Sequence, residues 1–385
     1  MINPKNCLSA LFSSRQHYLN RTIQANNQLH TFPLWAALQS EEYLERLGGR
    51  PLLVSGGTEE ERGVLLCDAL VQAPVGTRRV VLHGGNCTLR PEALALKGLP
   101  AAAWTWDLLA GMTPVQQLAI LTEDGRDREL APFWALALEI CRALGEPITL
   151  DSLAGLDWLG GSWQLRLLRV AERDAATELL RRYNAGMAAR ATQAAARLEV
   201  LRRASGSGPA SGLPAVGGAI WSAEVHGGSE ALARHRLDLL LDGVERGEQL
   251  VLAVDGLTLR HPLLERPIPG VRLLRAAPDL FTLPGGPEAL PVQGCGVVLL
   301  RHTAYGSAER LSAHFFGTYE CLVTETSTGY QQRSAGLLPE VRNIGMSVRR
   351  QRELRLAPRI LTMLTAGTAC AALPDGWEGL LRLEF

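Results

Sequence analysis

The chain has 385 residues, 46% hydrophobic and 20% charged, an ordinary globular composition with room for one large unit or two medium ones. Its 39 basic residues are balanced by 39 acidic ones, so the whole molecule lacks the positive field of a strong nucleic-acid binder, and only a local basic patch would allow contact with DNA. No window of 18 uncharged apolar residues occurs and the seven cysteines form no C-x-x-C pair, so a membrane span, a zinc site and a disulfide framework are not expected, and a cytoplasmic protein is.

Residues 1–50 show little periodicity beyond a short helix from Glu41 to Leu47, closed by Gly48 and Gly49, and read as an entry segment. From Pro51 a strand, a turn and a helix follow: Leu52 to Val54, then Ser55-Gly56-Gly57, then a face of Val64, Leu65, Ala69 and Leu70. A second strand, Arg79 to His83, ends at Gly84-Gly85 and opens a parallel arrangement over residues 51–103. Residues 104–204 then read as an inserted all-helical subdomain, with Pro132 to Leu144 closed by Gly145, and Leu165 to Ala204 at helical spacing throughout. Trp104, Trp106, Phe133 and Trp134 fall in this apolar context and read as packing residues. The Gly/Ser/Pro stretch 205–218 has the composition of a flexible linker. The sheet pattern resumes over 219–385, with strands at Ala219 to Val225, Gln249 to Val254, Gly296 to Arg301 and Cys321 to Thr326, and a helix from Ser229 to Glu245.

Strand, glycine turn and helix form the setting of a phosphate loop, G-x-x-x-x-G-K-[ST]. Gly56 matches its first glycine, followed by Gly57 and Thr58. Glu61 stands at the second glycine, Arg62 at the lysine and Gly63 at the hydroxyl position. A working loop needs free N–H groups and a compact cation facing phosphate, whereas Glu59, Glu60 and Glu61 place three negative charges at this helix start. Thr58 followed by Glu61 also reads as a capping box, which closes the helix with its own side chains. The strand QLVLAV ends in Asp255-Gly256, so one carboxylate is placed where a metal would sit, with none after it to orient water.

Four segments in order resemble the type IV coupling proteins of conjugation and secretion, within the FtsK/HerA branch of RecA-like motors. They are the GGT turn after LLV, the block APFWALALEICRALGEPITLDSLAGL, the stretch RLDLLLDGVERGEQLVLAVDG and the closing RELRLAPRILTMLTAGTACAALPDG. The resemblance implies an α/β, RecA-like P-loop-type sheet with an inserted all-helical subdomain. Members of that family also carry an N-terminal anchor and a glutamine sensor, where this chain has Arg301 and His302.

The combined expectation is a pseudo-ATPase that binds no cofactor and acts through protein partners, in a homo- or hetero-oligomer. The alternative is an atypical ATPase or DNA translocase, using ATP and magnesium, in which Arg62 replaces lysine and Asp255 the acidic pair; arginine presents a planar fork in place of an ammonium. Arg349, Arg350 and Arg352 form a basic cluster that reads either as an interaction surface or as a solvated face. VVLHGGN resembles an esterase oxyanion loop, but no G-x-S-x-G elbow follows any strand.

Overall fold

The computed structural model describes residues 30–383 apart from 75, 106–108, 110–111, 124, 126, 206–212, 226–228, 287–293 and 331–341, together with 20–22, 24, 27 and 28; for 324–346 only the backbone enters the description. The first elements are β1 (Ala37–Gln39), α1 (Ser40–Leu47), β2 (Leu52–Ser55), α2 (Glu59–Val71), β3 (Arg78–His83), α3 (Pro91–Leu96) and β4 (Ala101–Ala103). A helical stretch follows: α4 (Pro114–Leu121), α5 (Ala131–Ala143), α6 (Leu150–Gly155), α7 (Ser162–Val170), α8 (Arg173–Arg182) and α9 (Ala185–Ser205). The chain then adds β5 (Ile220–Glu224), α10 (Glu230–Glu245), β6 (Leu250–Asp255), α11 (Pro262–Glu265), β7 (Val271–Ala277), β8 (Gly296–Leu299) and α12 (Tyr305–Phe315). It closes with β9 (Thr318–Tyr330), β10 (Arg342–Leu354), α13 (Pro358–Met363), β11 (Thr368–Ala372) and β12 (Glu378–Arg382).

Ten strands form one sheet in the order β1-β12-β11-β8-β2-β7-β6-β3-β5-β4. From β8 to β4 every neighbouring pair is parallel, while β11 runs antiparallel to both β8 and β12. Its central strands are buried on both faces: LLVS in β2 and LVLAVD in β6 are solvent-free along their whole length, as a sheet covered by helices on both sides requires. Leu52 and Val54 join the core beneath α1 and α2, whereas Leu53 faces the opposite core with Leu299, Leu311 and Leu361. The strand before the glycine turn and the strand ending in Asp255 are separated by β7 alone. The fold is an α/β sheet, parallel from β8 to β4, with an all-helical insertion between β4 and β5.

The insertion has a core of its own, built on Phe133, Trp134, Trp158 and Trp163, with Phe133 and Trp158 edge to face at 5.3 Å. Two side chains tie it to α10. Glu123, a non-glycine residue at φ 50°, pairs with the buried Arg197 and accepts from the N–H of Ala231 at 3.0 Å. Arg236 donates to the carbonyls of Trp104 (3.0 Å) and Ala204 (3.1 Å), so one guanidinium holds both the entry and the exit of the helical stretch.

Several sequence-based expectations change. Residues 37–47, read as part of an entry segment, supply the edge strand β1 and the helix α1 of the main sheet. The span Leu165 to Ala204 is three helices; Asn184 breaks it by accepting from the N–H of Met187 (3.1 Å), a local side-chain bond that starts α9 anew. Trp104 lies beyond β4 and packs in the sheet core, not among the inserted helices, and Trp106 lies outside the described residues. Residues 206–212 of the expected linker also lie outside them, but Pro214 and Gly218 are held through their carbonyls by Arg78 and Arg79. Cys321 to Thr326 is extended, yet belongs to a separate antiparallel ribbon of β9 and β10. β7 escaped notice because Arg272 and Arg275 interrupt its apolar run; both are buried and donate to backbone carbonyls. Among the described residues no helix is long and apolar enough to cross a membrane.

The α1 helix is docked by Tyr43, whose hydroxyl lies between the carbonyls of Val297 (3.2 Å) and Ala372 (3.0 Å), and burial pushes its phenol pKa up. A Cβ at Gly296 would stand 2.6 Å from that oxygen, so the fit admits no larger residue. Tyr43→Phe is expected to lower stability by about 1–2 kcal/mol, because the carbonyls lose a buried donor; urea unfolding measures it.

Candidate functional site

The turn after β2 is shorter than a phosphate loop. β2 ends at Ser55 and α2 begins at Glu59, which leaves only Gly56, Gly57 and Thr58 between them. Gly56 and Gly57 adopt φ of 89° and 65°. A Cβ at Gly56 would lie 2.7 Å from Nε2 of His302, and one at Gly57 2.7 Å from Cδ1 of Leu300. Both glycines are therefore required by the turn and its packing, without appeal to a ligand.

The N–H groups of Gly56, Gly57, Thr58 and Glu61 are all donated within the chain. Gly56 N–H goes to the Ala277 carbonyl (3.1 Å) and Gly57 N–H to the Arg301 carbonyl (2.8 Å). Thr58 N–H goes to Oε2 of Glu61 (2.8 Å), and Glu61 N–H returns to Oγ1 of Thr58 (3.2 Å), a complete capping box. The other carboxylate oxygen of Glu61 accepts from Gly367 N–H at 3.0 Å, tying the helix start to the loop before β11. Glu59, Glu60 and Glu61 also complement the positive end of the α2 dipole.

Arg62 turns inward. Its Nε donates to Oδ1 of Asp255 at 2.7 Å, and its Nη1 to the carbonyls of Gly57 (3.1 Å) and Gly56 (3.3 Å). Both side chains of this ion pair are sealed, at 4% and 3% exposure. Asp255 is held on its other oxygen by Nδ2 of Asn86 (2.6 Å), which also donates to the Glu59 carbonyl (2.7 Å). Oδ1 of Asn86 accepts from both the N–H (3.0 Å) and the hydroxyl (2.7 Å) of Thr88. That hydroxyl occupies the space where residue 63 would carry one: a Cβ on Gly63 would lie 1.5 Å from it. His302, behind the turn, is buried, and burial lowers its pKa so that it stays neutral near pH 7.

The chain resembles a solved bacterial conjugative coupling protein. TrwBdeltaN70, in its unbound monoclinic form and in a trigonal form in complex with sulphate, matches with 16% identity and a TM-score of 0.45, over 88% of this chain and 85% of that one. No protein-family description matches the chain, and no curated protein does.

The expected site residues divide into two groups. Gly56, Gly57, Thr58, Glu61, Arg62, Gly63 and Asp255 come together in one network. Arg349, Arg350 and Arg352 lie apart from it, exposed on β10 of the ribbon, with Arg350 only 3.9 Å from Glu320 on the paired strand. Asn86 and Thr88 were missed. The motif HGGN pointed to this place in the chain, but its likeness to an oxyanion loop hid its role as the partner of Asp255. Among the described residues no cluster of His, Cys, Asp or Glu is arranged to hold a metal ion, and Cys67, Cys141 and Cys370 are buried thiols whose pKa burial pushes up to between about 11 and about 12.

Two substitutions probe the network. Asp255→Ala leaves a guanidinium buried without its carboxylate and is expected to cost about 3–5 kcal/mol, whereas Arg62→Met combined with Asp255→Leu should cost less than half of that; chemical denaturation of both decides it. Gly63→Thr, which restores a hydroxyl at the magnesium position, should lower Tm, and adding Thr88→Gly should recover most of the loss, because the obstruction is the Thr88 side chain.

Proposed function

We propose that this protein is a non-hydrolysing, RecA-like assembly partner in a DNA-transfer, secretion or mobile-element defence apparatus. The observation that carries this reading is the sealed pair of Arg62 and Asp255: the cation and the carboxylate on which phosphate and magnesium chemistry would depend neutralise each other. The short turn and its internally donated N–H groups support it further. The class of apparatus rests on the resemblance of four ordered segments to coupling proteins. An active ATPase would require Arg62 and Asp255 to part, leaving each charge buried without its partner and at a cost of several kcal/mol.

For an assembly partner the informative surface is the ribbon. β9 and β10 pair with each other over 13 residues each and with no strand of the ten-stranded sheet. Two-stranded ribbons are marginal alone; Asn27 bonds both backbone groups of Leu322 on β9 (3.0 Å each), and a second protein that covers the rest of an edge would stabilise the ribbon further. Arg349, Arg350 and Arg352 offer that partner an electropositive approach.

Two measurements test the reading. Calorimetric titration with a non-hydrolysable ATP analogue and magnesium should give no binding at micromolar concentrations; binding abolished by Arg62→Ala would establish the ATPase reading instead. Arg349→Glu with Arg350→Glu should remove partners from a pull-down out of the native host while circular dichroism stays unchanged. Retention of every partner would make the cluster a solvated face.

A further inference from the structure

A second polar site begins on β3, beside Asp255, and has no residue of the 56–63 turn in its lining. A cavity of about 400 Å³ opens at the carboxyl ends of β3 and β5, between the sheet and the end of α9; His83, Glu224, Trp104, Arg203 and Arg236 are among its lining residues. His83 and Glu224 are register partners at the last positions of those two parallel strands. The carboxyl edge is where open α/β sheets bind ligands, and the volume is that of a small-molecule site.

Arg236 is the unusual member of this lining. It is 1% exposed and reaches the cavity from α10. One nitrogen, Nη2, makes both of its described hydrogen bonds, to the carbonyls of Trp104 and Ala204, and the guanidinium carbon lies 5.4 Å from the centre of the Trp104 ring. Nε and Nη1 are buried with no hydrogen-bond partner, and no described carboxylate forms an ion pair with the group. Burial lowers its pKa to about 10, which leaves it charged at neutral pH. A buried charge without a counter-charge is costly, and elsewhere this protein avoids the cost by pairing Arg62 with Asp255 and Arg197 with Glu123. Arg272 and Arg275 make no described ion pair either, although Glu265 acts on Arg275 from a distance, and neither lines a described cavity.

We propose that this cavity binds a small anion, a phosphate or a carboxylate, whose charge is balanced by Arg236 from within and by Arg203 and Arg90 at the mouth. The mouth arginines are partly committed, Arg90 to Glu224 at 3.2 Å and Arg203 to Glu199 at 3.1 Å, so they steer an anion inward while Arg236 retains it. Because Nη2 of the same guanidinium joins both ends of the helical insertion, a bound anion also stiffens the junction between insertion and sheet.

The test is calorimetry and thermal unfolding of the full chain at constant ionic strength, with inorganic phosphate in one arm and malonate in the other. The expected result is saturable binding of at least one, with Tm rising by about 2 °C at ten times the dissociation constant. Arg236→Met should weaken that affinity by roughly tenfold or more, and the exposed Arg203→Ala by roughly threefold with the fold intact. Saturation by phosphate alone, or by malonate alone, identifies which anion chemistry the site takes. The proposal is overturned if neither anion binds saturably, or if binding is unchanged in both variants. Should Arg236→Met fail to fold, Arg203→Ala decides by the same criterion.

Discussion

The arrangement at the centre of the protein depends on the ion pair between Arg62 and Asp255. One partner leaves the first turn of α2, the other the last position of β6, and β7 and β2 lie between that strand and the β8 side of the sheet. Neither charge would tolerate burial alone, so each fixes the other, and the remaining valences recruit Asn86 and the carbonyls of Gly56 and Gly57. The conformation of the turn follows from this. With a guanidinium drawing two carbonyls inward and Glu61 taking the Thr58 N–H, the backbone closes on itself over three residues.

The same logic of buried arginines recurs around the fold. Arg197 with Glu123 anchors the helical insertion to α10, Arg236 gathers its two ends, and Arg272 and Arg275 bind backbone carbonyls along β7. A guanidinium suits this work because it has five donors in a rigid plane and a long apolar stem, and so satisfies several carbonyls where a lysine would satisfy fewer. These residues explain how a strand containing two arginines can run through the middle of a buried sheet. Nitrogens without a hydrogen-bond partner remain on Arg197 and Arg272, one each, and on Arg236 and Arg275, two each; of the four residues Arg236 alone lines a described cavity.

A buried parallel sheet and a closed turn after β2 are compatible in physical terms. A parallel sheet is held by the apolar runs of β2, β3, β6 and β7 and by the helices that cover them, none of which needs a ligand. A loop, by contrast, keeps its open shape only if its N–H groups are left for something else to accept. Here Glu61 and neighbouring carbonyls accept the N–H groups of the turn, so those donors are satisfied within the chain.

From the sequence alone the alternation of short apolar runs with helical spacing identified β2, β3, β5, β6, β8, the helix over 230–245 and the helical insertion, because burial on both faces leaves a continuous apolar run in a strand and burial on one face leaves a 3.6-residue period in a helix. The capping box of Thr58 and Glu61 was equally legible, since its partners lie three residues apart. Whatever joined distant parts of the chain was not. Residues 37–39 give no hint that they lie beside 380–382, β7 is disguised by its arginines, and β9 looks like any other strand although it leaves the sheet for a ribbon. For the site, sequence placed Arg62 and Asp255 at the expected positions of a phosphate loop and its acidic strand, but could not say that they would meet. Only the tertiary structure brings 62, 86 and 255 within hydrogen-bonding distance, because that depends on β2 and β6 standing one strand apart, and on the burial that makes two opposite charges seek each other.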